Sequence, residues 1–153
     1  YMKRFILMAI MLLPVSLMAQ IPQFSKLAEK YSDNDAVTSM TVDKQMMAMF
    51  AGDNEMINYL DEVQMVITSD ATIADKILNE SKKIVKRIDA EELISANEDG
   101  ETFTIYIVKD GGNVVNIILL ADCTTTSDES GVIIVSGCIP EAILGEIVKM
   151  VNQ

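Results

Sequence analysis

The chain has 153 residues, half of them hydrophobic, and 23 acids against 12 Lys and Arg give a net charge of −11. That acidity excludes nucleic acid and anionic lipid surfaces as partners, because either needs a strongly basic patch. Histidine and tryptophan are both absent, which excludes Ser-His-Asp and Cys-His catalysis, histidine-based zinc or copper sites and histidine pH switching.

Residues 1–19 read as a secretory signal peptide. Lys3 and Arg4 form a short basic region, Phe5 to Val15 (FILMAIMLLPV) is apolar, and Leu17-Met18-Ala19 ends on a small residue before a cut. The apolar run is shorter than the ~20 residues a spanning helix needs and contains Pro14, so no membrane span is expected after cleavage. Cleavage would leave Gln20 first. A bacterial lipoprotein carries cysteine there, so no lipid anchor is expected. Losing Lys3 and Arg4 takes the net charge from −11 to −13. Residues 20–153 then make a single domain with room for one core.

Phe24, Leu27, Ala28 and Tyr31 recur at helical spacing, which predicts an amphipathic helix over 23–32. Ser32-Asp33-Asn34-Asp35 breaks it. Ala36 to Val42 alternates and is β-branched, as a strand requires. Asp43 is placed to cap a short helix, Lys44 to Ala51, with Gly52 closing it. Asp53 is placed to cap a further short turn, with Met56, Ile57 and Leu60 on one face. Glu62 to Thr68 alternates again as a second strand. Over 71–88 the spacing of Ile73, Ile77, Ile84 and Ile88, widened by Leu78 and Val85, gives an apolar helical stripe. Lys82, Lys83, Lys86 and Arg87 fall in the last turns, where cations complement the helix dipole.

An antiparallel meander follows over 92–138. Glu98-Asp99-Gly100 supplies one turn and Asp110-Gly111-Gly112 the next. A three-residue loop with Gly112 left-handed sets Phe103, Ile105 and Ile107 opposite Leu119, Ile117 and Val115 on one buried face. That choice keeps Asn116 out of the apolar group, opposite Tyr106. Pro140 then opens a closing helix with Ile143, Ile147, Val148 and Met150 inward. The expected fold is α+β: a mainly antiparallel sheet with helices packed on one face.

No set of residues assembles a catalytic, cofactor or metal site, so no cofactor is expected. The two cysteines, Cys123 and Cys138, leave two registers open. A tight turn at Ser130-Gly131 would bring them opposite each other as a disulfide of an exported chain. Pairing Val132 to Val135 with Ile117 to Leu120 instead puts them at opposite ends of a strand, on the order of 15 Å apart, beyond the reach of a bridge. No C-x-x-C spacing supports redox chemistry. Met40, Met46, Met47, Met49 and Met56 admit a copper(I) thioether reading, but filling of irregular core gaps accounts for them more simply. The acid pairs, such as Glu98/Asp99 and Asp128/Glu129, match no calcium loop and read as solvated surface. Lys82, Lys83, Lys86 and Arg87 offer a docking patch for an acidic partner.

FSKLAEKYSDNDAVTSMTVDKQMM, EELISANEDGETFTIYIVKDGGNVVNIILL and SGCIPEAILGEI together resemble an uncharacterised family of exported bacterial proteins catalogued as domain of unknown function 4252. The resemblance covers most of the chain after residue 19 and rests on hydrophobic spacing and turns. It implies an exported α+β domain and supplies no activity. The CTTTSDES loop and both cysteines depart from the family's usual pattern. The expected role is a non-catalytic protein-interaction or binding module of the cell envelope, partnered by an unknown envelope protein. Two alternatives stand beside it: a small-ligand-binding protein or carboxylate-dependent enzyme, and a partner of an envelope signalling receptor.

Overall fold

The computed structural model describes residues 21–52, 55–126 and 128–151. The expected leader at 1–19 and the expected Asp53 cap lie outside the described residues, as do the side chains of Met56, Ile147, Val148 and Met150.

The chain runs α1 (Pro22–Tyr31), β1 (Val37–Asp43), α2 (Lys44–Ala51), a 3-10 turn (Glu55–Tyr59), β2 (Leu60–Thr68) and α3 (Ala71–Arg87). It continues through β3 (Glu91–Glu98), β4 (Glu101–Asp110), β5 (Asn113–Asp122) and β6 (Ser130–Pro140) to α4 (Glu141–Val151). The local signals act where the residues place them. Pro22 takes the first position of α1, where its missing N–H costs nothing. The Asp43 carboxylate accepts from the Met46 N–H at the start of α2, and Asp70 accepts from Thr72 and Ile73 at the start of α3. Such caps satisfy backbone donors that the first turn leaves free.

All six strands form one antiparallel sheet in the order β1-β2-β6-β5-β4-β3. The hairpin β1–β2 hands over to α3, which carries the chain to the far edge. The meander β3 to β6 then walks back, until β6 pairs with β2. Among the described residues no helix is long and apolar enough to cross a membrane.

Helices α1 and α3 pack on one face. Phe24, Ile77, Val66, Ile118 and Val132 are fully enclosed there. Each buried aliphatic or aromatic side chain of this kind contributes about 1.5–3 kcal/mol. A second, smaller cluster of Ile107, Val114, Ile139 and Leu144 forms where α4 and the 3-10 turn meet the sheet.

The β4–β5 register differs from the expected one. Asp110 pairs with Asn113, so the loop has two residues, and Gly111 takes the positive φ of 65°. A bulge between Val108 and Lys109 then sets Ile105 opposite Leu119 and Ile107 opposite Ile117. Asn116 lies opposite Val108 and is buried. The expectation kept Asn116 out of the apolar group because an unpaired buried amide is costly. Here its Nδ2 donates to Ser136 Oγ at 3.0 Å, which removes the objection.

Candidate interaction surface

Residues opposite one another in neighbouring strands share a face, about 4.8 Å apart. Following the register from strand to strand gives one continuous line: Met40, Met65, Ile133, Leu119, Ile105 and Ile94. Every strand contributes an apolar side chain to it. The line lies on the face opposite α1 and α3, and none of its residues belongs to either buried cluster. Met40 is 44% exposed and the others half-buried. A parallel row beside it runs through Ile67, Ala121, Phe103 and Ala96, with Phe103 36% exposed. On the next row Ile107 and Ile117 meet the α4 cluster.

Five strand spacings make this face about 24 Å wide, and two open rows make it about 14 Å long. That footprint of roughly 300–400 Å² is contiguous rather than scattered, and matches the largest apolar patch of an ordinary monomer, which is often functional. Helix α2 adds Met49 and Phe50, each 83% exposed, and Met46 at 41%. The expectation that Met40, Met46 and Met49 fill core gaps is corrected: all three are exposed, α2 sits at the end of the β1–β2 hairpin, and of its methionines Met47 alone is half-buried.

The far end of the open face is acidic. Glu98 lies directly opposite Glu101, one alternation beyond Ala96 and Phe103, on the same side. Glu101 accepts a hydrogen bond from Thr126 Oγ1 at 3.1 Å, and the same hydroxyl lies 3.4 Å from Asp128. Among the described residues, no ion pair includes Glu98, Glu101 or Asp128. Cys123 is buried beside them. Burial first, and then the charges of Glu101, Asp128 and Asp122, push its thiol above the usual range, which keeps it a poor nucleophile.

Strands β5 and β6 pair Leu120 with Val132 and Ile117 with Val135, the register that separates the cysteines. Cys123 donates its N–H to Ser130 Oγ at the start of β6. Cys138 lies eight residues farther along that strand, on the order of 25 Å away; both thiols are free, Cys123 buried and Cys138 exposed.

Of the basic patch on α3, Lys82 and Lys86 come together on one side, facing a groove of about 370 Å³ lined also by Val85, Asp89, Ala90 and Tyr106. Burial, and then the charge of Glu92, holds the Tyr106 hydroxyl above its ordinary value. Lys83 and Arg87 are exposed and line no part of that groove. Two cations and nearby acids leave it without a dominant sign. Among the described residues, no three acids or cysteines converge as they would around a metal ion.

The expectation that Phe103, Ile105 and Leu119 face the core is corrected: they lie on the open face, and Tyr106, Ile118 and Leu120 of the same strands meet α1 and α3. A signal for two apolar faces was there in the sequence. Val114 to Leu120 and Val132 to Val135 are near-continuous apolar runs, the pattern of strands covered on both faces. The described helices α1 and α3 cover one.

Residues 31–146 match the family described as Domain of unknown function (DUF4252). No curated protein and no solved structure matches the chain.

Proposed function

The chain belongs to the DUF4252 family, which hands it no activity, and on that premise we propose that it is a non-catalytic interaction module of the bacterial cell envelope. In this proposal it is exported through the leader at residues 1–19, carries no lipid anchor, and binds a partner protein on its open sheet face. The observation that carries the reading is the unbroken apolar line from Met40 to Ile94, which crosses all six strands outside both buried clusters. Half-buried side chains on this line return only part of the stability of a core residue, and Thr or Lys at the same positions would serve solubility better.

Methionine oxidation tests it directly. Met40 and Met65 lie on the line, and their sulfoxide formation under dilute peroxide can be read by mass spectrometry. In envelope fractions of cells that make the chain, both should oxidise several-fold more slowly than in the purified protein. Met49, on exposed α2, serves as the internal comparison. Equal rates for Met40 and Met65 in the two preparations would sink the reading.

A further inference from the structure

From the chemistry around the open face we infer that its occupant is a cationic amphipathic helix of a partner protein, an inference resting on the reading of that face as the binding surface. The helix lays its apolar stripe over Met65, Ile133, Leu119 and Ile105 and places Lys or Arg against Glu98, Glu101 and Asp128.

Charge comes first. Glu98 and Glu101 are like charges in direct cross-strand opposition, an arrangement that destabilises a hairpin. No cation among the described residues pairs with them or with Asp128. A partner's ammonium or guanidinium groups would turn this repulsion into attraction, and the net charge of −11 would steer such a partner in.

Shape is the second argument. The opposite face of this sheet shows what its width accepts: two helices, α1 and α3, each meeting it with an apolar stripe at helical spacing. The open face, ~24 Å across the strands and ~14 Å along them, takes one helix of about 10 Å diameter lying across the strands. Met40 and Met65 give it adaptable side chains that mould to a helix's knobs. An added strand is disfavoured at the β3 edge, where Glu91, Glu92 and Glu98 guard the open backbone. A second copy is disfavoured by charge, since face-to-face packing would bring two molecules of net charge −11 together without a cation between their acidic ends.

The probe is a synthetic peptide of about 17 residues, the length of α3, with Leu on one helical face and Lys on the other. Its counterpart has Glu in place of Lys. Titration into methyl-labelled protein should move the Ile105, Leu119 and Ile133 signals and induce helix in the peptide by circular dichroism. The Glu peptide should bind at least tenfold more weakly. Glu98→Gln with Glu101→Gln should weaken the Lys peptide tenfold or more and flatten its salt dependence. Met40→Gln with Phe103→Gln should weaken both peptides; these side chains are exposed, so the fold should survive.

Methyl changes confined to the Tyr106 groove would overturn the proposal. So would equal binding of the two peptides, or a dimer in sedimentation that neither peptide dissociates. Absence of Lys-peptide binding alongside slowed Met40 oxidation in the envelope would reject the cationic helix while leaving the face in use. Loss of both would reject the face itself.

Discussion

Leu119 and Leu120 are neighbours in β5 that point to opposite faces, so truncating each in turn asks whether the two faces differ as described. Leu120 is 3% exposed and packs among Val66, Val132 and the helices α1 and α3. Leu→Ala removes three carbons, worth about 2.4 kcal/mol at ~0.8 kcal/mol each. The cavity left in a tight core raises the cost to about 3–4 kcal/mol. Leu119 is half-buried and belongs to neither buried cluster. Roughly half the transfer cost and no closed cavity leave about 1 kcal/mol. Urea titrations followed by circular dichroism would read both, and an unchanged m-value would show that the truncations act on stability alone. In thermal melts the pair should separate by several degrees. Equal costs at the two positions, or a larger one at Leu119, would mean that something covers the open face and would refute the reasoning.

Ser136→Ala removes the hydroxyl to which the buried Asn116 amide donates, and should cost about 0.5–1.5 kcal/mol, the net worth of one hydrogen bond, in the same titration. Gly131 has φ 151°, and a Cβ there would lie 2.0 Å from the Val66 carbonyl oxygen; Gly131→Ala should therefore push β6 off β2 and cost about 3 kcal/mol or more. Cys123, Tyr106, Lys30 and Lys109 are all held above their ordinary values. The fold thus retains protons that the unfolded chain releases, and stability should fall as pH rises from about 9 through 11; denaturant midpoints that hold steady or rise over that range would contradict this. Maleimide without reductant should label the exposed Cys138 quickly and the buried Cys123 slowly in the native protein, and two labels on the unfolded chain would exclude a bridge.

Much of the fold was legible because its elements carry local instructions. Asp43 before Lys44, Gly52 after Ala51 and the apolar stripe of α3 each act within a few residues, and the helices stand where they direct. The meander was legible from its turns, Glu98-Asp99-Gly100 and Asp110-Gly111-Gly112. Its register was not, because a bulge at Val108 and the Asn116–Ser136 pair decide it together. One of those is a backbone irregularity and the other a contact between residues twenty positions apart. The same limit hid the open face: no window of sequence contains Met40, Leu119 and Ile94 together. The exposure of Met49 and Phe50 was hidden for a related reason, since α2 has apolar residues almost throughout and its burial depends on what packs against it.

The place of β6 bears on how the molecule is assembled. It is the last strand in the chain and sits third in the sheet, between β2 and β5. Ile67 waits for Gly131, sixty-four positions later; closing a loop of that length costs on the order of 3–4 kcal/mol of chain entropy before any contact repays it. Until then the chain holds a two-stranded hairpin and a three-stranded ribbon, each with a raw inner edge and little stability alone. Folding should accordingly be slow and all-or-none, limited by long-range strand pairing. A chain cut after Asp122 should yield two sticky fragments rather than a smaller domain.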